Sequence, residues 1–230
     1  TDAPRRARRE RTAVGASGPL MQLSPNNTPA LTNELLADNL KKTLNPLTNK
    51  PLNRIDFGRG FILELGDKPV KLSREKAELA YKWLKKPETE SIHCGIYVLY
   101  NLLAAYNKNA ALEQLANTVF MIDLLSGTIT DEELSANTPE VKSSMFALAK
   151  SSEYFGLKLY PVKLANLNEV KTPFIAHLKP DHFVLVTNVK EDRVEFFYVK
   201  GDSFLPREKF SESFTGYALV PAPIGSAARM

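Results

Sequence analysis

The chain contains one cysteine, Cys94, and it lies where a helix is predicted to begin. The apolar residues after it recur at three- and four-residue steps, which predicts a helix with one buried stripe: Ile96, Val98, Leu99, Leu102, Leu103 and Tyr106. Backbone N–H groups and the positive dipole end at a helix N-terminus favour the thiolate, the form that attacks carbonyl carbon. Gly95 is expected to keep the space beside the sulfur open. The pattern predicts a nucleophile. The alternative is an inert buried thiol, because cysteine is among the most buried residue types.

A cysteine nucleophile needs a base within hydrogen-bond reach, and the sequence offers three histidines. His182 precedes the apolar run 183–186, which predicts a strand buried on both faces. A histidine at the start of such a strand has a fixed position, so His182 is the predicted general base. His177 lies inside an apolar strand and is interpreted as a hydrogen-bonded core histidine. His93 adjoins the cysteine and is expected to have a supporting role at most. One cysteine and three scattered histidines do not favour a zinc site, and no cofactor is predicted.

The elements that must position these residues change character along the chain. Apolar spacing and caps predict helices at 31–44, 73–86, 111–125 and 138–155, besides the cysteine helix, and another capped start at Thr130. In the helix predicted at 138–155, Thr138 is the expected cap and Pro139 the first helical residue. Strands are predicted at 60–65, 157–162, 174–178, 183–189, 194–199 and 216–220. Helices followed by mostly antiparallel strands predict an α+β fold with one domain from 28 to 221.

Composition restricts the class of protein more than it restricts the function. The chain is 43% hydrophobic and 24% charged, which is typical of a soluble globular protein. The longest apolar run, 96–106, is interrupted by Asn101, so no transmembrane segment is predicted. A lone cysteine rules out an internal disulfide, and cytoplasmic location or export after signal removal both remain open.

Both ends of the chain lack features of folded structure. The net charge of +4 is concentrated in the arginine-rich cluster 5–11, within a segment rich in small residues. Residues 1–27 are therefore predicted to be a disordered basic tail, and 222–230 a flexible C-terminal tail. The basic tail is either an anchor for an acidic surface or a solubilising segment, and no specific nucleic acid partner is predicted.

Four segments in order resemble a known family. They are HCG and the following helix at Cys94, FALAKSSEYFGLKLYPVKL at 146–164, PFIAHLKPDHFVLV at 173–186, and FLPREKFSESFTGYALV at 204–220. This set is similar to the cysteine peptidase domain that removes double-glycine leaders from bacteriocin precursors, a branch of the papain-like superfamily. The resemblance implies a papain-like fold, a peptide or protein substrate, Cys94 as nucleophile and His182 as base. The family usually carries a fused transporter and ATPase, so this chain is expected to be a free-standing member.

Two positions depart from the pattern that the resemblance implies. A glutamine six residues before the cysteine should donate to the oxyanion, but Glu88 stands there and its carboxylate offers only acceptors. An aspartate sixteen residues after the histidine should orient the imidazole, but this position is Tyr198. Asp202 is a candidate substitute for this aspartate. If a hairpin turns at 191–192, the residue numbers of each cross-strand pair sum to 383. Gly201 would then lie opposite His182, with Asp202 beside it.

Two main hypotheses follow from these residues. Cys94 and His182 favour a cysteine peptidase that holds an extended peptide between the helical and sheet halves. Glu88 and Tyr198 favour a degenerate domain that binds a peptide or serves as a subunit of an assembly. A different papain-like reaction, such as acyl transfer or deamidation, is a third reading.

Deletion of residues 1–27 should leave folding intact, because this segment has no periodic apolar stripe and no helix caps. The thermal midpoint of the truncated protein is expected to lie within about 2 °C of that of the full chain. In a domain of this size, such a shift corresponds to a change of less than about 1 kcal/mol in the free energy of unfolding. A midpoint lowered by many degrees would mean that the tail packs on the domain.

Overall fold

The computed structural model describes residues 33–85, 93–136, 143–198 and 201–222. The front section contains α1 (Asn33–Leu44), a 3-10 turn (Asn45–Leu47), β1 (Pro51–Leu52), β2 (Arg54–Gly58), β3 (Phe61–Glu64), β4 (Val70–Lys71) and α2 (Arg74–Leu84). The middle is helical, with α3 (His93–Ala105), α4 (Leu112–Ser126), α5 (Asp131–Ser135) and α6 (Met145–Tyr154). The back section contains β5 (Tyr160–Lys163), a 3-10 turn (Leu167–Glu169), β6 (Phe174–Leu178), β7 (His182–Val189), β8 (Arg193–Tyr198), β9 (Gly201–Pro206), α7 (Arg207–Ser213) and β10 (Phe214–Val220).

Within the described residues, six strands form one sheet in the order β5-β10-β6-β7-β8-β9, and every neighbouring pair is antiparallel. The helix α3 packs on β6, β7 and β8 near the middle of this sheet. Successive side chains of a strand point to opposite faces. Phe183 and Leu185 of β7 accordingly join the core shared with the helices, while Val184 and Val186 join a second apolar cluster. The predicted α+β class, with a helical half packed on a mostly antiparallel sheet, is confirmed.

The helix starts depend on polar caps that the sequence signals. Ser73 caps α2, since its side chain accepts a hydrogen bond from the backbone N–H of Lys76 at 3.0 Å. Thr130 and Glu133 form a reciprocal capping box at the start of α5. The predicted helix start at Ser73 and the capped start at Thr130 are both confirmed.

The helix predicted at 138–155 begins later than the sequence indicated. Ser144 is extended, with φ −81° and ψ 153° as is typical of a cap, and its side chain accepts from the Ala147 N–H at 3.0 Å, so α6 starts at Met145. The prediction was wrong about a continuous helix because Asp123 of α4 binds Ser144 and fixes the start there. Thr138 and Pro139 lie outside the described residues.

Other predictions concern parts of the chain that the structure describes incompletely. The predicted tails lie outside the described residues except for Ala222, and the predicted domain bounds 28–221 remain a prediction. Of the helices in the described ranges, none has both the length and the apolar character that a membrane span requires.

Asp123 is 1% exposed, and its two carboxyl oxygens accept from the backbone N–H (2.9 Å) and hydroxyl (2.5 Å) of Ser144. Burial raises the pKa of Asp123 to about 6, against the opposing effect of the Ser144 hydrogen bonds. The folded state therefore favours the neutral acid. The resulting stabilisation is present below the ordinary aspartate pKa and is lost as pH rises through about 6.

We expect this group to lower the free energy of unfolding by about 3 kcal/mol between pH 3 and 7, at roughly 1.4 kcal/mol per pKa unit. Asp123→Asn is neutral throughout, so urea unfolding at several pH values should show a flatter profile in this variant. Asp192→Asn, at a side chain that is 73% exposed, is the control and should keep the wild-type profile. An unchanged slope in Asp123→Asn would contradict the assignment.

Candidate active site

Cys94 lies in the first turn of α3, as predicted, and its partly exposed sulfur contacts the start of β7. The backbone N–H of Phe183 donates to Sγ at 3.4 Å, and the Phe183 carbonyl oxygen lies 3.9 Å from the same sulfur. An N–H donor stabilises a thiolate more than a thiol, as does the N-terminus of a helix. The contact also puts the sulfur against the residue that directly follows His182.

Gly95 has a different role from the predicted one. It is buried, and a Cβ there would lie 3.2 and 3.3 Å from the two terminal carbons of Leu148 and 3.3 Å from Cδ2 of Phe183. The space beside Gly95 is therefore occupied by α6 and β7 instead of being open. A residue without a side chain lets α3 approach both elements closely enough for the sulfur to reach the Phe183 backbone.

His182 and Tyr198 lie next to each other at the ends of adjacent strands. Tyr198 Oη is 3.4 Å from His182 Nδ1, and the two rings meet edge to face with centroids 5.9 Å apart. Val186 pairs with Phe196 and Leu185 with Phe197. The same register continued puts Tyr198 opposite Val184, so that His182 is its diagonal neighbour on one face. The position sixteen residues after the histidine is thus adjacent to the imidazole, and a phenol occupies it.

A phenol cannot replace every function of a carboxylate here. A carboxylate only accepts hydrogen bonds, so it requires a proton on Nδ1, leaves Nε2 free as a base and stabilises the imidazolium. A tyrosine hydroxyl either accepts from Nδ1–H or donates to Nδ1, and in the second case the proton lies on Nε2. Tyr198 therefore holds the ring of His182 in place without fixing its tautomer.

Asp202 does not have the pairing that the sequence predicted. The register shifts between Val186 and Asn188, where the Thr187 hydroxyl donates to the Glu195 carbonyl at 3.1 Å. After β8 ends at Tyr198, β9 pairs with the other edge of β8, which places exposed Asp202 opposite Phe197. Gly201 lies opposite Tyr198 and not opposite His182. The predicted pairing was wrong because residues 201–206 form a separate strand that pairs with β8 and not with β7.

The remaining predicted site residues divide into described and undescribed ones. Glu88 lies outside the described residues, as does the side chain of His93. His177 is a hydrogen-bonded histidine, as interpreted from the sequence: Nδ1 lies 3.1 Å from Thr215 Oγ1, and Nε2 lies 2.8 Å from Asp181 Oδ1. Asp181 was not among the residues predicted from the sequence, although a Pro-Asp pair between two apolar runs is a turn signal.

Comparison with known proteins supports the sequence resemblance over the back half of the chain. Residues 125–225 match the Peptidase C39 family, a range that includes His182 and Tyr198 but not Cys94. The chain is also similar to a putative ABC transporter ATP-binding protein, MG390, of Mycoplasma genitalium, with 32% identity over 115 residues. That alignment covers 45% of this chain and only 17% of the relative.

Three solved structures are similar to parts of this chain. A double glycine motif protease from an AMS/PCAT transporter, in complex with the leader peptide, has 25% identity and a TM-score of 0.45, over 58% of this chain and 87% of that one. The peptidase C39 like domain of a toxin secretion ATP-binding protein from Vibrio parahaemolyticus has 18% identity and a TM-score of 0.40, over 59% and 95%. The peptidase domain of Streptococcus ComA has 16% identity and a TM-score of 0.44, over 57% and 92%. The match of residues 125–225 to the Peptidase C39 family confirms the resemblance that the sequence segments indicated.

Proposed function

We propose that this chain is a papain-like cysteine peptidase that cleaves a peptide or protein, with Cys94 as nucleophile and His182 as general base. The observation that carries the proposal is the hydrogen bond from the Phe183 N–H to the Cys94 sulfur at 3.4 Å. This bond favours the thiolate and holds it one residue away from the histidine along β7. The match of residues 125–225 to the Peptidase C39 family supports the same reaction class.

The proposed reaction has two stages. His182 accepts the thiol proton, and the sulfur of Cys94 attacks the scissile carbonyl carbon. The first N–H groups of a helix have no intrahelical acceptor, so the N–H of Cys94 contributes to the oxyanion site. The intermediate collapses to a thioester as the amine leaves with the proton from His182. Water, activated by the same histidine, then hydrolyses the thioester and regenerates the thiol.

A second candidate function is a degenerate domain that binds a peptide or serves in an assembly without cleaving. It is favoured by Tyr198, whose hydroxyl lies 3.4 Å from His182 Nδ1 where the resemblance implies a carboxylate. Glu88, where the resemblance implies a glutamine, favours it further because a carboxylate repels the developing oxyanion. The two candidates differ in whether Cys94 is an activated thiolate.

The rate of alkylation of Cys94 by iodoacetamide at neutral pH separates the candidates. An activated thiolate should react on the order of tenfold faster than a free cysteine, since an unperturbed thiol is only a few per cent ionised at pH 7. His182→Ala should remove this advantage. Cys94 is the only cysteine, so mass spectrometry of the intact protein reports this residue alone.

Two control variants accompany the alkylation measurement. Cys94→Ser should take up no label, and Tyr160→Phe, which alters a partly buried tyrosine on the opposite edge strand β5, should keep the wild-type rate. A wild-type rate equal to that of free cysteine, or a fast rate that persists in His182→Ala, would contradict the proposed peptidase.

Replacing Glu88 and Tyr198 by the residues that the resemblance implies tests how much activity these two positions cost. Glu88→Gln with Tyr198→Asp should raise turnover of a peptide by an order of magnitude or more, because one oxyanion donor is worth about 3 kcal/mol and a carboxylate fixes the tautomer of His182. Hydrolysis of a fluorogenic peptide library provides the measurement.

The degenerate domain predicts a different result for the same double variant. It should stay inactive and lose stability in urea, because Tyr198 packs against the second apolar cluster and Tyr198→Asp replaces this apolar contact with a partly buried charge. Tyr198→Phe is the matched variant that keeps the ring and removes only the hydroxyl.

A further inference from the structure

The turn between β6 and β7 holds an unusual backbone conformation immediately before the proposed base. Leu178 pairs with His182, so residues 179–181 form the turn. Asp181 has φ +143°, a region that residues with a side chain rarely adopt and that neighbouring interactions must maintain. His182 is the next residue along the chain, so the backbone conformation of Asp181 sets the direction in which β7 begins.

A hydrogen-bond network links this turn to β6 and β10. The carboxylate of Asp181 lies 2.8 Å from His177 Nε2, and Thr215 Oγ1 lies 3.1 Å from His177 Nδ1. The Thr215 hydroxyl also donates to the His177 carbonyl oxygen at 2.9 Å and accepts from the Tyr217 N–H at 3.3 Å. The three residues Asp181, His177 and Thr215 are called the turn network below.

The donors of the turn network can be assigned by counting hydrogens. A threonine hydroxyl has one hydrogen, and Thr215 uses it on the His177 carbonyl, so it accepts from Nδ1–H of His177. An ionised aspartate only accepts, so Nε2 of His177 must also carry a hydrogen. All these bonds form together when an imidazolium faces a carboxylate, a charge-assisted pair that is stronger than a neutral one.

The turn network also contacts the side of the site that holds the sulfur. The ring of His177 lies 5.1 Å from the ring of Phe183, and the Phe183 ring packs where a side chain at Gly95 would otherwise lie. The backbone N–H of Phe183 donates to Cys94 Sγ. One cluster therefore borders both His182, through Asp181, and Cys94, through Phe183.

We propose that His177, Asp181 and Thr215 are positioning residues that hold His182 in the geometry required to serve Cys94. This inference rests on the proposed peptidase function for its consequence, but its structural content is independent of turnover. Asp181 remains in its strained conformation because His177 binds its carboxylate, and His177 is fixed in turn by Thr215. Loss of the network lets the turn relax and displaces the ring of His182.

The test compares Thr215→Val, which removes the hydroxyl at nearly constant shape, with Thr215→Ser, which keeps it. Asp181→Gly is the second disruptive variant, because glycine tolerates the backbone conformation but supplies no carboxylate. Thr187→Val is the matched control, since it removes another strand hydroxyl that binds a backbone carbonyl in the same sheet. Urea unfolding of each variant establishes that it is folded.

The first measurement is the nitrogen chemical shift of the His182 ring by NMR, which reports tautomer and surroundings without any need for catalysis. We expect shifts in Thr215→Val and Asp181→Gly, and wild-type values in Thr215→Ser and Thr187→Val. His182 resonances that are unchanged in both disruptive variants, or that move equally in Thr215→Ser, would overturn the positioning role.

The second measurement is the alkylation rate of Cys94 in the same variants. Displacement of a catalytic group by about 1 Å costs up to a hundredfold, so the alkylation rate in Thr215→Val and Asp181→Gly is expected to fall about tenfold, to that of free cysteine. If wild-type Cys94 reacts like free cysteine, the proposed peptidase fails. The NMR comparison then still decides the positioning role by itself.

Discussion

The contact between the first turn of α3 and the start of β7 is the interaction on which the rest of the site depends. There the Phe183 N–H donates to the Cys94 sulfur, and the missing side chain of Gly95 lets Leu148 and Phe183 pack against the helix. A helix N-terminus alone favours a thiolate, but it does not bring a base. In the proposed peptidase the strand supplies the base, because His182 precedes Phe183. The contact of the Phe183 backbone with the Cys94 sulfur therefore places the proposed nucleophile beside the residue that follows the proposed base.

Residues on both faces of the sheet hold Cys94 and His182 in position. On one face, Phe183 and Leu185 pack in the core shared with the helices and so hold α3 against the sheet. On the other face, Val184 and Val186 pack in the second cluster together with Tyr198, which reaches the ring of His182. His182 is the first residue of β7, and its ring is contacted by Tyr198, which packs against the second cluster.

Sequence reasoning predicted the local features well, because short-range patterns carry them. The apolar stripe after Cys94 gave the start of α3 within one residue, and the Thr130 and Ser73 caps gave two more helix starts. The start of α6 was not predictable in this way, because it depends on the distant carboxylate of Asp123. The position of Asp202 required knowledge of the register shift between Val186 and Asn188 and of the change of partner at β9, both of which are tertiary features.

The most direct test of the account is a crystal structure of the protein with a peptide aldehyde, a reagent that forms a hemithioacetal with an activated cysteine. We expect a bond from Cys94 Sγ to the aldehyde carbon, the adduct oxygen at the N-terminus of α3, and a ring nitrogen of His182 within hydrogen-bond distance of the adduct. An aldehyde that occupies the protein without bonding to Cys94, or a bonded adduct with His182 turned away from it, would contradict the claim that these two residues form one reaction centre.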